Sequence, residues 1–388
     1  MEVIHIPIEI IRQILLNLEV KAVIRFQSVC KEWRSTIQNP HFNLSYSGQK
    51  RVMVMAHSSS SCLALTSITT TTTPHIETPF LKTTFPLNRR WSGVWCSCNG
   101  LVLFSVGKHI LLWNPSTRCC AKVLELPRLN DLLPNVVSGL CYISSTGDYK
   151  AVVLLPTYGT RHGTLMVASL KNKEWRQVAF PYRRPPFTEG GLNFRNTLHW
   201  RVISTSRREG CFVKCDTIVY FEAESDEFKE LPSPGWKRKS NIIIGLGIMD
   251  NCLCTARLRR PTYNIEVMVM KKYGVKRSWV NKFVISLLPF QFRWNYHNFT
   301  LYSLKCNTKV LIWDNWRDSW QIVVYDLKSN TLNYLLGESS GRGYGEPIAM
   351  CSYVQSFVSP YEFIWRDDPH KLPENDVVLS FILERFNI

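Results

Sequence analysis

No apolar run in this 388-residue chain approaches the roughly 18 residues that a membrane-spanning helix needs, so no transmembrane helix is expected. The start, Met1-Glu2-Val3-Ile4-His5, lacks the basic flank of a signal peptide, and a soluble chain of the cytoplasm or nucleus is expected. Cysteine occurs 13 times, an odd number, yet nothing resembles a zinc framework. Cys96-x-Cys98 and Cys252-x-Cys254 are the closest pairs with a gap, and neither is followed by a second pair at zinc-like spacing. The thiols read as small buried apolar groups, and no metal is expected. No paired carboxylates stand out. His57 and Ser58 to Ser61 have no positioned acid beside them. The glycine-rich stretch Gly337 to Gly345 lacks the Gly-Lys-Ser/Thr ending of a phosphate loop. No catalytic group and no cofactor are expected. Negative charge is also in short supply: 47 Lys and Arg face 30 Asp and Glu, a net of +17.

Residues 4–40 carry the densest signal. Ile10, Ile11, Ile14, Leu15 and Leu18 recur at helical spacing, and Pro7 suits a first helical turn. Val20, Val23, Ile24 and Phe26 form a second stripe. Val29, Cys30, Trp33 and Ile37 form a third, which Asn39-Pro40 ends. Three short amphipathic helices in so small a unit carry more apolar positions than they can hide, which points to a docking face.

This pattern resembles the F-box. The matching residues are Ile6-Pro7, Ile14-Leu15, Leu18 and the closing Val29-Cys30-Lys31-x-Trp33. Two positions depart from it. Ile6 replaces the usual Leu with a similar shape, and Glu19 stands where plant members commonly have Pro. The resemblance implies binding to a Skp-type adaptor and, through it, to a cullin. Ile6, Pro7, Ile10, Ile11, Ile14, Leu15, Leu18, Val29, Cys30 and Trp33 would form the adaptor face.

From about residue 52 the texture changes to short apolar runs between turns. Aromatics are dense, with 13 Trp, 15 Tyr and 19 Phe, which favours β structure. Thr66 to Thr73 reads as a low-complexity surface loop. A hairpin-like unit recurs at 109–127, 164–181, 216–234, 265–285 and 320–337. Registered on Trp113, Leu170, Phe221, Met270 and Tyr325, its steps are 57, 51, 49 and 55 residues. That period is near the ~50 residues of kelch-like propeller blades. A lone hairpin cannot bury both faces, whereas four-stranded blades in a ring can. About six blades fit residues 52–362. An open two-sheet sandwich is the alternative that periodicity alone leaves standing. Trp113, Trp175, Trp200, Trp279 and Trp320 read as blade-core anchors, and Asn99-Gly100 and Asn114-Pro115-Ser116-Thr117 as turns.

The same segments resemble the F-box-associated domain of plant F-box proteins. The match runs through Ser97-Cys98-Asn99-Gly100-Leu101, Leu112-Trp113-Asn114-Pro115-Ser116-Thr117-Arg118 and Gly147-Asp148-Tyr149-Lys150. It continues through Leu198-His199-Trp200, Cys252-Leu253-Cys254, Val267 to Val275 with Ser278-Trp279, and Ser352 to Pro360. The resemblance implies a kelch-related substrate-recognition module.

The fold class expected is therefore α+β overall: a three-helix F-box, then a mainly-β, propeller-like domain. The expected division is F-box 1–46, linker and first irregular strands with the Thr-rich loop 47–95, F-box-associated domain 96–360, and a C-terminal tail 361–388 expected to close the β domain. Basic residues are concentrated: 171–282 hold 22 Lys and Arg against 11 Asp and Glu. Arg183, Arg184, Arg207, Arg208, Arg257, Arg259 and Arg260, with Trp236, are the candidate substrate contacts, and an acidic protein is the partner such a field would attract. The functional expectation is a non-catalytic substrate-recognition subunit of a Skp–cullin–F-box ubiquitin ligase. The alternative is a ligand- or glycan-binding propeller with a degenerate F-box. Nucleic acid is not expected, because no known nucleic-acid motif accompanies the charge.

Overall fold

A computed structural model describes residues 6–46, 48–59, 62–69, 74, 76, 81–84, 96–106, 109–126, 137–156, 163–180, 182, 190–208, 211–234, 241–259, 264–285, 299–303, 309–316, 319–337 and 347–364. The chain opens with four helices rather than the three expected. They are α1 (Ile8–Leu16), α2 (Val20–Phe26), α3 (Lys31–Gln38) and α4 (Pro40–Ser45). Asn39-Pro40 does end the third stripe, and it also starts a fourth helix. The Asn39 side chain accepts from the His41 backbone N–H at 2.8 Å, and Pro40 occupies the first turn, where a missing N–H costs nothing. Cys30 caps α3 in the same manner, its sulfur accepting from the Trp33 backbone N–H at 3.4 Å. The helices enclose Ile11, Leu15, Val20, Val23, Ile37, Phe42 and Tyr46. Glu19, where the family commonly has Pro, makes no cap bond to α2; its carboxylate accepts from Gln49 Nε2 at 3.3 Å.

Among the described residues, six four-stranded antiparallel sheets follow. Their strands are β1 (Lys50–Ser59), β2 (Cys62–Thr69) and β3 (Leu81–Thr84); β4 (Cys96–Cys98), β5 (Leu101–Val106), β6 (His109–Asn114) and β7 (Cys119–Glu125); β8 (Val137–Ile143), β9 (Asp148–Pro156), β10 (Gly163–Ser169) and β11 (Trp175–Val178). There follow β12 (Leu192–Phe194), β13 (Thr197–Arg208), β14 (Cys211–Glu222) and β15 (Glu227–Leu231); β16 (Asn241–Met249), β17 (Cys252–Arg259), β18 (Asn264–Met270) and β19 (Trp279–Ile285); then β20 (Phe299–Ser303), β21 (Lys309–Trp316), β22 (Ser319–Asp326), β23 (Thr331–Gly337) and β24 (Pro347–Val354). Five blades use consecutive strands. The remaining one, which we count as the first, has the order β24-β1-β2-β3, so the last strand pairs with the first from Lys50↔Val354 to Ala56↔Pro347. That pairing closes the ring, and the open sandwich is not adopted.

The recurring hairpins of the sequence are the third and fourth strands of blades two to six. Shared cores join neighbouring blades: Val52, Val54 and Ile68 meet Tyr302, Leu311 and Trp313, for example, where the ring closes. Half of the threonine-rich stretch is not a loop. Thr66 to Thr69 end β2, with Ser67, Ile68 and Thr69 buried, because β-branched residues fit a half-buried pleat. Residues 70–73 lie outside the described ones.

The quoted motifs are joints of the ring. Asn99 and Gly100 both have positive φ, +51° and +81°, the conformation a two-residue hairpin turn demands. A Cβ on Gly100 would also lie 2.2 Å from Ser356 Oγ. In Gly147-Asp148-Tyr149-Lys150, Asp148 accepts from the Lys171 backbone N–H at 3.2 Å. The Tyr149 hydroxyl accepts from Asn99 Nδ2 at 3.0 Å, and Lys150 reaches Asp226 of the next blade at 2.9 Å. Trp113, Trp200 and Trp279 are buried and Trp175 is half-buried, as anchors should be. Trp320 lies in β22, and its side chain is outside the described set.

Candidate functional site: a helical face and two ends of a ring

The surface of the helical unit divides the expected adaptor residues into two groups. On α1 the i, i+4 spacing of Ile10 and Ile14 puts both on one side, and each stays about half exposed, 51% and 49%. Ile6 (49%) and Val29 (58%) are as exposed, and Pro7 and Cys30 are exposed with them. Leu18 and Trp33 are half-buried. Tyr46 Oη donates to the Leu18 carbonyl at 2.8 Å, and Trp33 stands edge-on to Phe26 at 5.3 Å. Ile11 and Leu15 correct the expectation. They point inward and are 8% and 0% exposed, because α1 spends that side of its apolar surface on the core shared with Val23 and Ile37. They shape the face without lining it. Leu44 on α4, 42% exposed, is a further exposed aliphatic on this unit that sequence periodicity did not single out.

The ring has two ends. Connections between the first and second and between the third and fourth strands of each blade turn at one end. The helical unit joins there: Gly48 N–H donates to the Gln355 carbonyl, and Gln355 N–H to the Gln49 carbonyl, both at 3.1 Å. Among the described turns at that end, Arg195-Asn196 and Asp250-Asn251 repeat the double positive φ of Asn99-Gly100. Second-to-third-strand connections, and those leading to the next blade, join strand ends at the opposite end.

Of the expected basic residues, Arg207, Arg208, Arg257 and Arg259 are among those described. Arg207 and Arg208 finish β13, paired in register with Phe212 and Cys211 where the hairpin turns. Arg183, Arg184, Trp236 and Arg260 lie outside the described residues, in the segments that link β11 to β12, β15 to β16, and β17 to β18. Arg257 corrects the expectation. It faces Glu266 across the β17–β18 pair, and its side chain, 14% exposed, bonds that carboxylate. Arg259, two residues on and hence on the same side of the strand, meets the other oxygen of Glu266 at 3.1 Å but remains 57% exposed. Glu266 thus neutralises part of this cluster, and Arg259 alone of the two presents a surface. Tyr182, next to Arg183 in sequence, packs on Phe180 and Phe228.

His199 is fully buried between blades four and five. Burial pushes its pKa down to about 4, so it is neutral near pH 7. Its Nδ1 lies 3.0 Å from the Thr197 carbonyl and its Nε2 2.7 Å from the Tyr273 hydroxyl, which fixes Nδ1 as the protonated nitrogen and Nε2 as the acceptor. Burial pushes the thiols of Cys141, Cys254 and Cys351 up to about 12, well away from the thiolate form. No cluster able to hold a metal ion occurs among the described residues. No helix among them is long and apolar enough to cross a membrane.

Comparison with known proteins agrees with this architecture. The F-box domain family matches residues 4–45, and the F-box associated beta propeller domain family matches residues 50–360. An F-box/kelch-repeat protein of Arabidopsis thaliana is 28% identical over 295 residues, covering 71% of this chain and 78% of its own length. The F-box protein CPR1 of Arabidopsis thaliana is 25% identical over 380 residues, covering 90% of this chain and 88% of its own. Among solved structures, TolB from Acinetobacter baumannii aligns with a TM-score of 0.47 at 10% identity, covering 84% of this chain and 71% of its own, a likeness from which nothing about function follows.

Proposed function

The chain belongs to the family of F-box proteins that carry an F-box-associated β propeller, and from that premise we propose that it bridges a Skp-type adaptor and a target protein for ubiquitination. Membership supports a substrate-receptor role in a Skp–cullin–F-box ligase in general terms. The finer reading adds a division of labour. The helical unit holds the adaptor through Ile6, Ile10, Ile14 and Val29. The far end of the ring, with Arg207, Arg208, Arg259 and the linking segments that hold Arg183, Arg184 and Arg260, holds a target with an acidic surface. The chemistry belongs to a separate ubiquitin-conjugating enzyme, and the receptor contributes proximity, raising the effective concentration of a target lysine. The cytoplasm or nucleus is the compartment this role calls for.

The observation that carries the reading is the row of half-exposed aliphatics on a helical unit fixed to one end of the ring. Nothing in the chain's own described fold covers them, and burying an aliphatic side chain contributes roughly 1.5–3 kcal/mol. Affinity purification of the full chain and of an Ile10→Asp/Ile14→Asp variant, with proteasomal degradation blocked, tests the bridge. The variant should lose adaptor and cullin while keeping the target. Retention of the adaptor, or joint loss of adaptor and target, contradicts the division of labour.

A further inference from the structure

The F-box helices share their interior with a residue from the far end of the chain. Phe357, 7% exposed, sits among Leu15, Val23, Ile37, Phe42 and Tyr46. Its ring lies 4.6 Å from that of Tyr46 and 6.2 Å from that of Phe42. A helical unit of about 40 residues buries too little surface to be secure alone, so an aromatic ring supplied from outside is a large fraction of its core.

Phe357 belongs to a strap, residues 355–364, that leaves the ring-closing strand β24 and crosses the F-box end of three blades. At its start Gln355 pairs through the main chain with Gly48 and Gln49. A Cβ on Gly48 would lie 2.8 Å from Gln355, so the two backbones meet where only glycine fits. Next, Asn114 of the second blade, fully buried, donates to the Ser356 carbonyl at 3.1 Å and to the Val358 carbonyl at 2.8 Å. The Ser356 N–H in turn donates to Ser116 Oγ at 3.2 Å. Last, Phe363 stands edge-on to Tyr149 of the third blade at 5.2 Å, and Lys173 Nζ donates to its carbonyl. Phe357 lies between the two residues, Ser356 and Val358, that Asn114 holds. Its position is therefore set by the closure of β24 on β1 and by the buried amide of Asn114.

We propose that the adaptor-binding face forms fully only on a closed propeller, with Phe357 as the positioning residue that transmits closure to the F-box. The inference rests on the adaptor-binding reading above for its consequence, not for its physical content. An opened or misassembled ring withdraws Phe357, loosens the core beneath Ile10 and Ile14, and so lowers affinity for the adaptor. A receptor that cannot hold its target is then also a poor recruit to the ligase.

The test uses the full chain and two readouts. Amide hydrogen exchange is followed in residues 8–45 and in strands β5, β6, β13 and β14, and the affinity for a purified Skp-type adaptor is measured by calorimetry. Phe357→Ala should speed exchange in residues 8–45 on the order of 100-fold while leaving those strands protected, and should weaken adaptor binding. Phe357→Leu should restore most of both. Asn114→Ala, which touches no F-box residue, should act in the same direction more weakly. Unchanged exchange in residues 8–45 of Phe357→Ala overturns the proposal, as does equal loss of protection throughout the propeller strands. If the wild-type chain binds no adaptor, the functional reading fails, and the exchange readout still decides whether closure is transmitted to the F-box.

Discussion

Acidification should destabilise this propeller through one buried imidazole. His199 is fully buried, and its pKa falls from 6.5 to about 4 on folding because burial penalises the charged ring. The unfolded chain therefore binds more protons than the folded one between those values, and stability rises with pH across that window. The contribution is complete above pH 6.5 and is lost as pH falls towards 4. Between pH 7.5 and 4.5 the loss is roughly 2.5 kcal/mol for this group alone. That is a large part of the ~5–15 kcal/mol by which domains are stable. Other titrating groups change over the same range, so the informative quantity is a difference. Urea unfolding followed by tryptophan fluorescence at several pH values, on wild type and His199→Gln, isolates it. The wild type should lose about 2.5 kcal/mol more than the variant between pH 7.5 and 4.5. Parallel losses in the two proteins would refute a buried neutral His199 and the inter-blade contact with Tyr273 that depends on it.

Three further outcomes are expected. Asn114→Asp keeps the shape of the side chain but replaces its donors with a charge facing two carbonyls, so it should cost about 3 kcal/mol or more in chemical denaturation, against less than half that for a surface Asn such as Asn172. Asp226→Asn should destabilise the joint between blades three and four, because Lys150 and Arg176 converge on a carboxylate that is only 6% exposed; the unfolding midpoint should drop, and adding salt should not close the gap. Cys30 is the exposed thiol among the described free cysteines, so maleimide labelling mapped by mass spectrometry should modify it readily in the free chain and slowly in the adaptor complex.

The sequence disclosed those parts of the fold whose signal is local. The third and fourth strands of five blades are long enough, and aromatic enough, to repeat visibly. Two of the first strands are not: β4 and β12 are three residues each, too short to show alternation. The first blade was hidden because a run of threonines begins at the end of β2 and because its strand β24 arrives from the other end of the chain. On the helical unit the apolar stripes were legible, but which member of each stripe faces out depends on what packs behind it. Ile11 and Ile10 are adjacent in sequence and opposite in fate. Phe357 could not be seen as an F-box core residue at all, because its partners lie more than 300 positions away and no pattern of period 2 or 3.6 reaches that far. Arg257 was misread for a related reason: its neutralising Glu266 is a cross-strand neighbour known only once the register is fixed.

Calorimetric titration of a purified Skp-type adaptor into the full chain and into Ile10→Asp/Ile14→Asp tests the central claim most directly. About half of each isoleucine is left for a partner to bury, which for the pair amounts to roughly 1.5–3 kcal/mol before the cost of desolvating a carboxylate is added. Wild type should bind tightly and the variant at least ~100-fold more weakly, with circular dichroism of the two unchanged. Equal affinities, or no binding by the wild-type chain, would contradict the account.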